Sequence, residues 1–215
     1  MSTVPAQPRR RTIDVSNLPD GAMDWRDPLW WGNTLMMLIE TTTVALMLAG
    51  YYYLRRNYDV FPPPRYEQPV MYDTTPHRLF ATIDTGVLLV SAVVAYFMNS
   101  AARAENARGV RIGLAAMLLL AAASLAVTWN EFSSIHFSWG DNAYASVCWT
   151  TIAFHFLYVL IGLCEFGLLL VWCLTHQLDE KHDLDVTLAG AYWYWVVGVW
   201  IPIYVTIWFA PSFLK

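Results

Sequence analysis

The chain has 215 residues, of which 57% are hydrophobic and only 14% charged, with eleven tryptophans and a net charge of −4. That is too apolar for a soluble domain of this length, and the few basic residues sit at the ends of apolar stretches, which excludes a nucleic-acid-binding protein. The sequence reads as an integral membrane protein: all-α, a polytopic bundle of about five transmembrane helices, since roughly 20 apolar residues span the hydrocarbon core.

Residues 1–29 carry Arg9, Arg10 and Arg11, four acidic residues and no continuous apolar run. They predict a soluble N-terminal tail and not a cleaved signal peptide, followed by a membrane domain over residues 30–215. The first span runs from Trp30 to Leu54. The next stretch, FPPPRYEQPVMYDTTPHR, holds five prolines and predicts a non-helical loop. A second span, His77 to Ala101, leads through a basic connection to a third, Arg111 to Trp129. After EFSSIHFSWGD, which lacks Lys and Arg, a fourth span runs from Asn142 to Leu174. At about 1.5 Å per residue it exceeds the hydrocarbon thickness, so it tilts or projects into water. The fifth runs from Leu188 to Phe209. No internal repeat is visible.

Basic residues set the orientation. Arg9, Arg10, Arg11, Arg26, Arg103, Arg108, Arg111 and Lys181 fall on one side, against Arg55, Arg56, Arg65, Arg78 and Lys215 on the other. Eight against five predicts a cytoplasmic N-terminus and an outside C-terminus.

Redox chemistry requires ligands. Of His77, His136, His155, His176 and His182, only His155 lies well inside a predicted span, and one histidine makes neither a bis-histidine haem site nor a copper cluster. Cys148, Cys164 and Cys173 all fall in the fourth span without CxxC spacing and read as small buried apolar residues. No redox metal is expected in this chain. The membrane-depth polar residues Glu40, Asp84, His155 and Glu165 are the functional candidates, because ionisable groups in hydrocarbon cost about 2.5 kcal/mol or more. Each is either a proton-handling group or a hydrogen-bonded group that joins helices. The tryptophans Trp149, Trp172, Trp193, Trp195 and Trp200 are expected on outward faces, some against another membrane subunit and those near helix ends as interfacial anchors.

These residues also resemble a known family. Glu131-Phe132 is followed by Asp141, then Tyr144-Ala145-Ser146, then Phe154-His155-Phe156-Leu157-Tyr158-Val159 and Gly162. That order and spacing is similar to the penultimate helix of subunit III of the haem-copper oxidases, typified by cytochrome c oxidase. Gly32 and Glu40 in GNTLMMLIE resemble a Gly and a buried Glu of the family. Phe61-Pro62-Pro63 and Asp84-Thr85 with Leu88, Leu89 and Ser91 look similar to its next segments. Tyr192, Trp193, Val199, Trp200 and Tyr204 match its last helix. Where the family has His and Asp in that helix the chain has Tyr194 and Val197, and Tyr158 replaces a second histidine. Ala145 and Phe156 fill two glycine positions.

The resemblance implies an accessory subunit without haem or copper of its own, packed beside oxidase subunits I and II, which hold those cofactors. It implies that Glu40 supports proton uptake by subunit I, and that His155 is a non-ligand histidine joining helices, with Glu40 as a candidate partner. The five spans correspond to the family's last five of seven, a short form also seen in bacterial quinol oxidases, so a bacterial-type plasma membrane is expected. Bound phospholipid is compatible with this reading, although the family's lipid cleft uses its first two helices. Other classes stay open on sequence alone: a quinol oxidase subunit, a helper of a nitric oxide reductase, or a stand-alone proton or small-solute transporter in which Glu40, Asp84 and Glu165 line a path.

Overall fold

The computed structural model describes residues 28–59, 61–63, 76–176 and 180–213. The expected soluble tail up to residue 27 and most of the proline-rich connection lie outside the described residues. Five long helices follow one another: α1 (Pro28–Asn57), α2 (Arg78–Arg103), α3 (Ala107–Ser134), α4 (Ala143–Thr175) and α5 (Glu180–Tyr204). A π-helical turn, Val205–Phe209, and a short α6 (Ala210–Phe213) continue α5. All five long helices are apolar and long enough to cross a membrane. Most of their ends run past the spans read from hydropathy: α3 begins four residues earlier and ends five later, and α5 begins at Glu180. Hydropathy detects the lipid-facing stretch, whereas backbone hydrogen bonding carries the helix on through polar residues into the headgroup region.

The buried positions of α2 include Ala81, Asp84, Leu88, Ser91, Ala95, Met98 and Ala102, with Asn99 buried beside Met98. Those of α3 include Val110, Leu114, Met117, Ala121, Ser124, Thr128 and Glu131. Both sets alternate steps of three and four residues, the 3.5-residue repeat that keeps one seam facing a partner helix. About half of these side chains are Ala, Ser or Thr, which lets the backbones approach, and α2 against α3 is the most extensive helix contact. Gly109 and Gly113, spaced as in GxxxG, sit on this seam. A Cβ at Gly113 would lie 2.8 Å from Met98 Cβ, and one at Gly109 would lie 2.8 Å from Ala101 Cβ.

Only residues 104–106 join the two helices. Glu105 takes φ 53°, its N–H bonds Ala102 O at 2.9 Å, and the Asn106 N–H bonds Ala101 O at 2.9 Å. This pair of bonds is the Schellman closure of a helix end. Asn106 then caps α3, its Oδ1 accepting from the Gly109 N–H at 3.1 Å.

α2, α3, α4 and α5 pack in a closed ring, and α1 lies against the seam between α4 and α5. The hydrogen bonds show the helix directions. Trp193 Nε1 donates to Ser91 Oγ at 2.7 Å and Trp200 Nε1 to Thr85 Oγ1 at 2.8 Å, while Tyr204 Oη and Thr82 Oγ1 are 2.7 Å apart. As the number rises on α5 it falls on α2, so these two run antiparallel. Toward α1, Asn33 bonds Leu188 O at 3.1 Å, Trp195 Nε1 donates to Thr41 Oγ1 at 2.7 Å, and Tyr52 Oη and Thr206 Oγ1 are 3.2 Å apart. Here both numbers rise together, so α1 and α5 run parallel.

The expectation that Trp193 and Trp200 face outward is therefore corrected. They are 0% and 2% exposed, because an indole N–H within hydrocarbon is best placed where a hydroxyl on a neighbouring helix accepts it. Trp149, Trp172 and Trp195 are half-buried. Cys164 is exposed, unlike Cys148 and Cys173.

Close packing outweighs any one of these bonds. Gly113→Val should lower stability by about 1–3 kcal/mol through overpacking against Met98, whereas Trp200→Phe should cost about 0.6 and at most about 1.7 kcal/mol for its lost interhelical bond, plus whatever the smaller ring leaves unfilled. Gly32→Ala should cost nothing and gain at most about 1 kcal/mol from helix propensity, since no atom lies within 4 Å of the added Cβ. Thermal unfolding of the three variants in one detergent gives the ranking.

Candidate functional site

His155 is fully buried on α4. Its Nε2 lies 3.2 Å from the carbonyl of Val196 on α5, and its ring packs on Trp200 with centroids 4.5 Å apart. A carbonyl only accepts, so Nε2 carries the hydrogen and Nδ1 presents a lone pair. That Nδ1 is buried without a hydrogen-bond partner. Among the described residues, no three His, Cys, Asp or Glu side chains gather where they could hold a metal ion.

The pairing expected between His155 and Glu40 is corrected. Tyr158 Oη donates to Glu40 Oε2 at 2.6 Å. Tyr158 follows His155 by three residues, which turns it about 60° around the helix: His155 faces α5, while Tyr158 faces α1. Tyr192 Oη in turn donates to the Tyr158 carbonyl at 3.0 Å, tying α5 into the same knot. Glu40 is half-buried in the seam between α1 and α4, one carboxyl oxygen fixed by a phenol. Such a group holds or passes a proton without losing its position.

Asp84 is 1% exposed. Ser124 Oγ donates to its Oδ1 at 2.6 Å and Thr128 Oγ1 to its Oδ2 at 3.4 Å. Ser124, Thr128 and Glu131 are spaced i, i+4, i+7 on one face of α3, so the second buried carboxyl, Glu131, lies one turn beyond Thr128. It is 2% exposed, and its Oε1 is buried without a hydrogen-bond partner. The spacing of these three α3 residues was present in the sequence. What the sequence lacked was the α2 register that brings Asp84 opposite them.

Glu165 stands apart from both groups. With Asp185, Asn33 and leucines of α1, α4 and α5 it lines a cavity of about 370 Å³. The other motif residues shape the chain. Asp141 Oδ2 accepts from the Ser138 N–H at 2.7 Å, Asn142 Oδ1 caps α4 through the Ala145 N–H at 2.8 Å, and Ser146 Oγ donates to Trp139 O at 2.7 Å. Together they fold the loop that carries α3 into α4. Tyr144 packs with Phe61 and Phe137, ring centroids 5.1 and 5.6 Å away. Gly162 admits the Trp193 ring, which would lie 2.8 Å from a Cβ there. Gly32 is on an exposed face. Sequence reasoning missed Tyr158 as the partner of Glu40; its signal was the replacement of a family histidine beside the carboxylate's helix.

A family model described as cytochrome c oxidase subunit III matches residues 68–212. The chain is similar to cytochrome c oxidase subunit 3 of Trichophyton rubrum, 33% identical over 104 residues that make up 48% of this chain and 39% of that protein. It is 27% identical to the protein of that name from Rhizopus stolonifer over 125 residues, 58% of this chain and 44% of the other. With that of Rattus norvegicus it shares 29% over 134 residues, 60% and 50% of the two chains. The chain spans about half the length, or less, of these relatives. α1, with Glu40, precedes the stretch matched by the family model.

Removing the donors to Asp84 tests whether they hold α2 on α3. Ser124→Ala with Thr128→Val leaves a buried carboxyl without its hydroxyls and should destabilise by about 1–3 kcal/mol, and combining the pair with Asp84→Leu should recover part of that loss. A double-mutant cycle by thermal unfolding in detergent measures the coupling.

Proposed function

Because the chain belongs to the cytochrome c oxidase subunit III family, we propose that it is the accessory, non-catalytic subunit III of a respiratory haem-copper terminal oxidase, a complex that couples O2 reduction to proton translocation. The observation that carries this reading is the family match over residues 68–212. In it, haem and copper belong to partner subunits I and II and none to this chain. The isolated placement of His155, bonded to a backbone carbonyl and stacked on an indole, supports that division. The chain stabilises subunit I through its outward apolar faces and sustains proton uptake through Glu40. Phospholipids complete those faces.

The membrane is an energy-transducing one, taken here as a bacterial-type plasma membrane with the N-terminus cytoplasmic and the C-terminus outside. The distribution of basic residues supports the orientation. The parallel course of α1 and α5 agrees with five crossings that begin and end on opposite sides.

Purification of the tagged chain at native expression should bring down large haem-bearing membrane subunits with an oxidase spectrum. Recovery of a colourless, partner-free chain would remove the reading. Glu40→Gln should assemble normally, since the amide oxygen still accepts from Tyr158, yet oxygen consumption should decline over prolonged turnover. Tyr158→Phe should preserve the carboxyl and show a milder decline. Wild-type behaviour of Glu40→Gln over the same turnovers, with normal assembly, would leave Glu40 a packing residue.

A further inference from the structure

The link of residues 104–106 closes one end of the α2–α3 hairpin. At its other, open end two histidines meet. His77 immediately precedes α2 and His136 lies in the loop after α3, 59 residues further along the chain. Their ring centroids are 4.9 Å apart with the planes at 73°, and both side chains are exposed. The backbone beneath each is anchored. Pro76 is buried beside His77, and Ile135 and Phe137 are buried on either side of His136. The Ile135 N–H bonds the Glu131 carbonyl at 3.0 Å, and Trp149 Nε1 donates to the Phe137 carbonyl, also at 3.0 Å. The His77 side chain makes no capping bond to α2, so it has no part in starting that helix.

The separation of the rings suits a shared metal ion. A zinc–nitrogen bond of about 2.0–2.1 Å puts each ring centre about 3.2 Å from the ion, and ligand angles between about 90° and the tetrahedral value then set the two centres about 4.5–5.2 Å apart. The observed 4.9 Å lies inside that interval. The tilt of the rings is no obstacle. The bond from Cβ to the ring points close to the ring centre, so turning the ring about it redirects the nitrogens while the centre stays nearly in place, and this torsion is broad for histidine. Imidazole nitrogens suit zinc, copper and nickel, whereas calcium and magnesium take oxygen ligands. We propose that His77 and His136 form a two-histidine site for a divalent ion of the zinc class, with water in the remaining coordination positions. The bound ion joins the start of α2 to the loop after α3 and closes the open end of the hairpin. Among the described residues no group of three His, Cys, Asp or Glu side chains gathers, which makes this ion exchangeable with solution. Zinc has no redox chemistry, so the site is separate from the haem and copper assigned to the partner subunits. It depends on two chain segments meeting in water, not on which partners accompany the chain.

The full chain, purified with the partners that hold it, is stripped of loosely held ions with EDTA and equilibrated with zinc chloride over a range of free concentrations. Elemental mass spectrometry then counts zinc per chain. At the lowest concentration that fills the wild-type site, wild type should hold one zinc per chain more than His77→Ala or His136→Ala; zinc on the partners cancels in the comparison. Each substitution should weaken this zinc at least about tenfold, the least that losing even a supporting group costs a metal site. The double variant should lose little more than either single one, because one ion needs both rings, and His77→Cys should restore binding through a thiolate. Both side chains are exposed, so none of these variants threatens the fold. Equal zinc in wild type and the double variant would overturn the proposal and leave the rings in simple edge-to-face contact. Single losses that add in the double variant would overturn it too, by showing two independent ions. None of these outcomes bears on whether haem-bearing subunits co-purify.

Discussion

The hydrogen bonds from the indoles and phenols of α5 to hydroxyls on α1 and α2 are what the rest of the structure depends on. Within a bilayer, apolar side chains gain nothing by leaving lipid for protein, so the hydrophobic effect does not choose which helix lies against which. Close approach of small residues and satisfied polar groups make that choice. Trp193, Trp200 and Tyr204 meet Ser91, Thr85 and Thr82 in descending order, and a slip of one turn would part all three pairs at once. Each bond is weak singly, but together they fix one register, and the ring of four helices closes around it.

α1 is held differently. Only Val44 and Tyr51 among its residues are buried, while Leu35, Leu38, Ile39 and Leu46 are more than half exposed. Its attachment is a line of polar contacts, from Asn33 through Glu40 and Thr41 to Tyr52, with an aromatic anchor where Tyr51 meets Phe61 at 5.3 Å between ring centroids. The carboxyl of Glu40 thus belongs to the least enclosed helix and takes its place from Tyr158 on the helix beside it. Whatever covers the open face of α1 therefore also borders the seam in which this carboxyl and the Tyr158 phenol are paired.

Much of this was written in the sequence and some was hidden by the solvent. The five spans stood out because lipid demands long unbroken apolar runs. The seam between α2 and α3 was less legible: its alternation of three- and four-residue steps, from Ala81 to Ala102 and from Val110 to Glu131, emerges only from burial. The burial of Trp193 and Trp200 was not, because in a membrane the outside of a helix is as apolar as its inside, and composition gives no sign of which face meets protein. Nor was the partner of Glu40. His155 and Tyr158 lie within one turn of each other, and which of them faces α1 depends on the rotation of α4, set by Gly162 receiving the Trp193 ring. Asp84 was visible as a buried acid, but its donors Ser124 and Thr128 lie forty residues and more away.

The link of residues 104–106 has a consequence for biogenesis. A connection closed so tightly by Ala101, Ala102 and the Asn106 cap leaves no slack for α2 to diffuse in the bilayer while α3 is still being made. The two helices therefore leave the insertion machinery as a hairpin whose glycine seam forms on arrival. Arg103 and Arg108 flank the turn and hold it out of the hydrocarbon. When α4 and α5 emerge they meet a preformed two-helix surface with Ser91, Thr85 and Thr82 already aligned along it.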